Sequence, residues 1–474
     1  AEAIIKGLAE DGGLFTPTSF KSIDLEGLLS LSYQDMAIKI LGTFFDDFDE
    51  EVVSKCVHGA YDTSFSAKEV IPVTHLKDAS VVELYHGPTS AFKDVALTLL
   101  PRLLMASYKK KNMDKKIYIL TATSGDTGKA ALEGFKDVED TYITVFYPKD
   151  GVAMVQEAQM VTTEGNNTQV IGIKGNFDDC QRLVKQCYED KALLNDKVQL
   201  SSANSINIGR LAPQIVYYFS TYIQMVKDEK IKMGDKVTFV VPTGNFGDIL
   251  AGYFAKQMGL PIDQLVCASN ENNILTDFIN TGVYDTHREF KLTMSPSMDI
   301  LVSSNLERLL FILNGFDDQK TAAYMKDLKE KGVYKVDDTL LSKLQESFKG
   351  YYTCEEDCQK TIKEIFEKEG YLMDPHTSVA YTAAQLYKKE NPDTPIAVLS
   401  TASPYKFCGN VLPCISDYEA KDEYDAMAKL YELSQQEIPY GLKYLQSKEV
   451  RHKAVMNLEE AAEAVKHKIE ELAQ

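Results

Sequence analysis

Pro242-Thr243-Gly244-Asn245-Phe246-Gly247-Asp248 joins two runs of opposite character. Upstream, Lys236–Val241 is apolar and β-branched, as a strand covered on both faces must be. Downstream, Ile249–Met258 places apolar residues at helical spacing. A strand, a glycine-rich turn and a helix in that order make half of a parallel βαβ unit. Glycine lets the backbone approach an anion closely. The helix start adds unpaired N–H groups and a favourable dipole. Taken alone, the same residues also describe a plain turn without a ligand.

The pattern recurs on both sides. Lys116–Leu120 is β-prone and ends at Thr121-Ala122-Thr123-Ser124-Gly125-Asp126-Thr127-Gly128, with a helix to follow over Gly128–Phe135. Strands are expected at Tyr142–Phe146 and Gln169–Ile173, and helices at Val152–Val161, Asp178–Glu189 and Ile208–Val226. Asp374 and Pro375 form a helix start, with Asp as N-cap and Pro at the first helical position. That helix runs to Lys389. The strand Ile396–Leu399 then ends at Ser400-Thr401-Ala402-Ser403-Pro404. Such alternation predicts a parallel sheet with helices on both faces.

Other segments break the alternation. The first 80 residues open on Gly12-Gly13-Leu14-Phe15 and Pro17, with helical patterns at Asp24–Leu31 and Tyr33–Leu41. The stretch 315–370 is rich in Lys, Glu and Asp and reads as an all-helical insertion. In the tail, Leu458, Ala461, Ala462, Val465, Ile469 and Leu472 share one helical face. Its polar face is acidic, so it is expected to pack on the body rather than on a membrane. Pro101 predicts a bend in the helix that follows Lys93.

Length and composition bound the function. A chain of 474 residues holds two to four domains. Hydrophobic residues at 44% and charged residues at 26% are ordinary for a globular protein. The net charge of −19 argues against a nucleic-acid or anionic-membrane partner, since phosphate backbones demand clustered Lys and Arg. A small anionic ligand stays open, because a pocket can be locally positive. The eight cysteines are scattered, which suits a reducing cytoplasm better than a disulfide framework. Cys354 and Cys358 lack the paired ligands of a metal site. No run of 18 apolar residues suggests a membrane helix, and Ala1–Phe15 shows no signal peptide.

Four further elements could carry chemistry. In His86-Gly87-Pro88-Thr89-Ser90-Ala91-Phe92-Lys93-Asp94 a lysine follows an aromatic ring and a Gly-Pro turn. Lysine is protonated in water at its ordinary pKa of ~10.4. Burial favours the neutral amine needed for Schiff-base chemistry. A surface lysine would carry the same local sequence. The Thr123–Gly128 loop offers hydroxyls and N–H groups to an anion such as a carboxylate. It fails as a nucleotide P-loop, because Lys129 is followed by Ala130 and the glycine spacing is wrong. Ser400–Pro404 lies at the carboxyl end of a strand, where open parallel sheets bind ligands. Asn204-Ser205-Ile206-Asn207-Ile208-Gly209-Arg210 caps the long helix and places an arginine that could fork onto a phosphate or face solvent.

These motifs, taken in order, resemble the threonine synthases, pyridoxal-phosphate enzymes of the tryptophan-synthase-β-like fold. The resemblance begins at Gly7–Phe15. It continues through His86–Asp94, Thr123–Gly128, Asn204–Arg210, Gly244–Asp248, Thr293–Ile300, Asp374–Thr377 and Thr401–Phe407. It covers nearly the whole chain, which opens slightly later than the family's members do. It fits the longer branch, which carries a helical insertion. The implied fold is α/β: two open, twisted, mostly parallel sheets flanked by helices, with an N-terminal α+β segment. The implied division is 1–85 for the N-terminal segment and 86–215 for the smaller α/β unit with the lysine. The larger cofactor-binding unit takes 216–430, including the insertion, and 431–474 is a helical tail.

The resemblance also implies roles. Lys93 binds pyridoxal 5'-phosphate covalently and acts as the catalytic base. Gly244, Asn245, Phe246, Gly247 and Asp248 hold the cofactor phosphate, and the Thr401 hydroxyl meets the ring nitrogen. A hydroxyl there leaves the nitrogen mostly unprotonated and the ring a milder electron sink. Thr123, Ser124, Gly125, Asp126 and Thr127 take the substrate carboxylate; Asn207 and Arg210 take the substrate phosphate. The expected reaction turns O-phospho-L-homoserine and water into L-threonine and phosphate, in a monomer or homodimer with no metal. The rivals are a serine/threonine dehydratase-like lyase, a non-catalytic relative that binds phosphorylated metabolites, and the P-loop protein already disfavoured.

Overall fold

The computed structural model describes residues 1–193 and 195–474. Its strands are β1 (Val73–His75), β2 (Ser80–Glu83), β3 (Lys116–Ala122), β4 (Thr141–Pro148), β5 (Thr168–Ile173), β6 (Val198–Ser201) and β7 (Val237–Pro242). They continue as β8 (Ile262–Ser269), β9 (Val283–Asp285), β10 (Val333–Lys335), β11 (Phe348–Tyr352), β12 (Ile396–Ser400) and β13 (Ala454–Met456). The larger sheet has the order β1-β2-β12-β7-β8-β11 and is parallel apart from β1, which runs antiparallel to β2. The smaller, β13-β5-β4-β3-β6, is parallel throughout. Parallel strands need crossover connections, and the helices between them serve as those. β9 and β10 form a separate antiparallel ribbon.

The central strands are buried along their whole length, as their unbroken apolar sequences require. Every residue of β7 and of β12 is inside. The helix Ile208–Lys227 is also enclosed, with Ile215, Val216, Tyr218, Phe219, Tyr222 and Ile223 all in the main core. It is apolar nearly all round because it is covered nearly all round.

The expected bend at Pro101 is a complete break. One helix ends at Leu97 and the next starts at Leu100, with Pro101 in its first turn, where a missing N–H leaves no bond unmade. The break brings the Leu97 carbonyl against Gly134, where a Cβ would lie 1.9 Å from the oxygen. Glycine is the residue that allows this approach.

Three segments depart from the sequence reading. Asp24–Leu31 forms only a 3₁₀ turn over Glu26–Leu28, since Gly27 weakens a helix at its centre. The 315–370 stretch holds helices Asp318–Lys331, Asp338–Gln345 and Glu355–Glu369, but it also contributes β10 and β11. β11 pairs with β8 and forms the edge of the larger sheet. Its alternation is only five residues long between charged helices, and Gly350 is there because a Cβ would meet the Thr276 backbone at 2.9 Å. In the tail, the amphipathic helix Leu458–Leu472 packs Ala461, Val465 and Ile469 on Cys180, Leu183 and Cys187. The short strand β13 before it joins the smaller sheet beside β5. No described helix is long and apolar enough to cross a membrane.

Candidate active site

The lysine loop is stitched to the end of β12. Ala91 bridges Ala402, the Phe92 N–H donates to the Thr401 carbonyl at 2.8 Å, and the Ser403 N–H donates to the Ser90 carbonyl at 3.0 Å. Ser90 is held at φ +61°, a left-handed conformation that costs a non-glycine residue energy. Lys93 then opens the helix Lys93–Leu97 with its side chain almost fully buried. Its Nζ lies 3.6 Å from Asp126 Oδ2 and 4.8 Å from the Phe92 ring centre. Burial pushes the Lys93 amine below its ordinary pKa. Asp126 opposes that shift, while Lys406 and Arg210 add to it.

Asp126 begins the helix Asp126–Phe135 and faces two ammonium groups. Lys406 Nζ is 2.9 Å from Asp126 Oδ1 and also donates to the Thr89 carbonyl at 2.9 Å; its side chain is completely buried. Gln156 Nε2 donates to the same Asp126 Oδ1 at 2.9 Å. Burial pushes the Asp126 carboxyl up, but Lys406 and Lys93 outweigh it and hold it well below the usual carboxylate range. Asp94, buried and bonded by the Thr89 N–H and hydroxyl, is instead pushed up to about 6 by burial.

The loop after β7 is built differently. Its carbonyls are tied back: Ser303 Oγ donates to the Gly244 carbonyl at 2.7 Å, and Asn305 Nδ2 donates to that of Asn245 at 3.0 Å. The N–H groups of Gly244, Asn245, Phe246 and Gly247 have no protein acceptor among the described residues. Phe246 sits at φ +61°. Gly244 packs so tightly on Ser297 that a Cβ would stand 2.6 Å from its carbonyl oxygen. The Asp248 carboxylate turns away, accepting from the Tyr217 and Tyr218 hydroxyls. Burial pushes it up to about 6, against those two donors and Lys93, and its Oδ2 has no partner among the described residues. Only the backbone of Asp248 can therefore serve an anion in the cradle.

Arg210 is buried one turn into the long helix. Its guanidinium donates to the Ala203 carbonyl at 2.8 Å, and its Nε meets no acceptor among the described residues. Burial alone pushes it down to about 10. A cation in this state lowers its energy by taking an anion. The neighbouring Asn207 differs: its Oδ1 accepts from the Gly209 N–H at 2.8 Å and its Nδ2 donates to the Ile4 carbonyl at 2.9 Å. Its amide is thus a helix cap and a tie to the N-terminal segment. Thr123 likewise uses its hydroxyl internally, accepting from the Gly125 and Gly128 N–H groups at 2.9 Å each. Ser124 and Thr127 remain accessible on that loop, while Gly125 is closed in by Gln156.

The sequence reading gave no role to several supporting residues, although His376 and Lys406 lie in motifs it names. His376 Nδ1 is 2.6 Å from Asp374 Oδ2, and its Nε2 accepts from the Ser297 N–H at 3.1 Å, which fixes the wall behind Gly244. Arg308 is fully buried and donates to the carbonyls of Phe15 and Ile206 and to the Asn305 side chain. It clamps the N-terminal Gly-Gly-Leu-Phe segment onto the site. Lys406 belongs to this group as well.

Comparison with known proteins identifies the family. A family model described as "Threonine synthase N terminus" matches residues 1–61, one described as "Pyridoxal-phosphate dependent enzyme" matches 81–402, and "Threonine synthase, C-terminal" matches 377–469. Threonine synthase of Saccharomyces cerevisiae is 36% identical over 99% of this chain and 94% of its own. The chain belongs to the threonine synthase family. The Pseudomonas aeruginosa threonine synthase is 39% identical over 86% of this chain and 85% of its own. The crystal structure of the yeast threonine synthase superposes with a TM-score of 0.89 at 35% identity, covering 99% of this chain and 95% of that one. A pyridoxal-phosphate-bound threonine synthase from Brucella melitensis superposes at 0.87, also at 35% identity, covering 98% and 96%. The fold is accordingly that of the family, the chain is a pyridoxal-phosphate-dependent lyase, and pyridoxal 5'-phosphate is its cofactor.

The site fits that cofactor on its own evidence. The bare N–H groups after β7 suit a phosphate, Gly244 fits where any side chain would strike the Ser297 backbone, and the loop carrying the buried Lys93 is tied to the end of β12, the strand paired with β7.

Proposed function

We propose that this protein converts O-phospho-L-homoserine and water into L-threonine and phosphate. The observation that carries this reading is Arg210. A cofactor phosphate needs one anion site, and the N–H groups of Gly244, Asn245, Phe246, Gly247 and Asp248 supply it. Arg210 is a buried cation beside Lys93 with no carboxylate partner among the described residues and an Nε that meets no acceptor there, whereas the buried Arg308 is taken up by carbonyls and an amide. A substrate that brings its own phosphate accounts for it.

Bound pyridoxal phosphate supplies an electron sink for the carbon next to the substrate amine. The chain supplies positioning, charge and proton transfer. Lys93, whose burial favours the free amine, takes the α-proton at Nζ. Arg210 neutralises the charge on the departing phosphate. Ser124 and Thr127, with the first N–H groups of the helix Asp126–Phe135, orient the substrate carboxylate. Thr401, buried at the end of β12, offers its hydroxyl to the cofactor ring nitrogen. Asp126 holds Lys93 rather than an anion, and Thr123 shapes the loop. The eight free cysteines support a reducing cytoplasm.

Incubation of the holoenzyme with O-phospho-L-homoserine tests this. Threonine and phosphate in equal amounts are expected. Phosphate with a keto acid and ammonia would instead mark a dehydratase-like lyase.

A further inference from the structure

Lys406 is a buried ammonium that the mechanism above does not use. It lies on the 3₁₀ turn Pro404–Phe407, beyond the end of β12, and no part of its side chain reaches solvent. Burying a lysine is expensive unless the charge meets a partner. Its partners are Asp126 Oδ1 at 2.9 Å and the Thr89 carbonyl at 2.9 Å. Both belong to the machinery around Lys93. Thr89 is in the lysine loop, and the other oxygen of Asp126 is the one nearest Lys93 Nζ.

We propose that Lys406 is a positioning residue for Lys93, acting through the Asp126 carboxylate that the two lysines share. The geometry divides one negative charge between two ammonium groups. Lys406 takes the shorter contact, 2.9 Å against 3.6 Å, so Lys93 is held by the weaker half. Without Lys406, Asp126 would bind the Lys93 nitrogen undivided and favour its protonated form. Without Asp126, two like charges would face each other across the gap. Lys406 therefore keeps Asp126 ionised and aimed while preventing it from locking the Lys93 proton in place. Gln156, which also donates to Asp126, fixes the carboxylate plane from the helix Met154–Val161.

Other charged groups face this pair and share in its balance. Arg210 stands on the Lys93 side from the long helix, and Asp248 from the helix after β7. Asp94 faces Lys406 from the helix of Lys93 itself. These three are the same in every variant below, so a change in titration reports the Asp126–Lys406 pair.

This inference rests on Lys93 as the cofactor-bearing lysine. The test is a pH titration of the visible absorption of the bound cofactor in the holoenzyme. Four variants serve: Lys406→Met, Lys406→Gln, Asp126→Asn and the double Asp126→Asn/Lys406→Met. Lys406→Met is expected to raise the midpoint by about one unit, a tenfold change in proton affinity. Lys406→Gln keeps donors toward Asp126 and Thr89, so it preserves the packing and must show the same rise. Asp126→Asn lowers the midpoint, and the double variant falls between the single ones, as coupled neighbours require. A rise in the Met variant alone, with wild-type behaviour in Lys406→Gln, would reduce Lys406 to a packing residue and overturn the proposal. Unmoved midpoints in both would do the same. Borohydride reduction and peptide mapping separate the two levels: cofactor fixed to another lysine would defeat the role of Lys93 as well, whereas cofactor on Lys93 with unmoved midpoints would defeat only that of Lys406.

Discussion

The loops after β3 and β7 have the same ingredients: a buried parallel strand, glycines, hydroxyls and an aspartate at the start of a helix. They do opposite things. After β7 the carbonyls are tied back, the N–H groups are bare and Asp248 is turned onto two tyrosines. After β3 the Thr123 hydroxyl consumes two N–H groups, and Asp126 points at Lys93 and Lys406. The first arrangement leaves its N–H groups free for an anion and turns its aspartate away, whereas the second sets its aspartate between two ammonium groups and leaves only Ser124, Thr127 and the nearby helix start open. Both aspartates are buried, yet Asp248 is pushed up to about 6 while Asp126 is held down. Tyrosine hydroxyls cannot repay desolvation as two ammonium groups do.

The strongest way to break this contrast is at the lysine between the loops. Lys93→Ala should leave no cofactor attached after borohydride reduction and cut turnover by at least ~10³-fold. A folded variant that kept both would remove Lys93 from the mechanism. Next comes Gly244→Ala, which sets a methyl 2.6 Å from the Ser297 carbonyl, an atom of the backbone. Overpacking of about 1–3 kcal/mol should weaken cofactor binding roughly 10- to 100-fold, measured by fluorescence titration of the apoprotein. An unchanged affinity would move the phosphate elsewhere. Arg210→Gln should raise KM for phosphohomoserine about 10- to 100-fold, the worth of one or two charged hydrogen bonds. Cofactor binding should stay as it was, and a weaker cofactor with the same KM would exchange the two anion sites.

The remaining effect is on stability, and its sign differs between the loops. Asp248 has a raised folded pKa, so its contribution is full below ~3.9 and is lost as pH rises through about 6. Asp126 has a depressed one, so its contribution is present above the unfolded value and lost as pH falls. In apoprotein melts, Asp248→Asn should therefore gain on the order of 2 kcal/mol relative to wild type between pH 4 and 6 and keep it above. Asp126→Asn should lose stability at neutral pH, because two lysines face each other unpaired. Matching signs would erase the distinction between the loops.

Much of this was legible in the sequence because it is local. Strand, glycine turn and helix are written within some twenty residues around Gly244, and so is the cap before the long helix that carries Arg210. The parts that escaped are joined over long separations. Nothing near Lys406 marks it as buried; that follows from the end of β12 meeting a loop more than 300 residues earlier. The side chain of Asp126 was expected to help hold an anion, and only the folded site shows it between lysines. Asn207 looked like a phosphate ligand, yet its amide is taken by Gly209 and Ile4. β11 and β13 were missed because edge strands of three to five residues owe their form to the neighbour they pair with.

A crystal structure of the holoenzyme with a non-reactive phosphonate analogue of the substrate would test the contrast most directly. The cofactor phosphate should rest on the N–H groups of Gly244–Asp248, with the analogue's phosphonate on Arg210 and its carboxylate at Ser124 and Thr127. A phosphate or phosphonate seated on the Thr123–Gly128 loop, with Asp126 displaced from Lys93 and Lys406, would contradict the account.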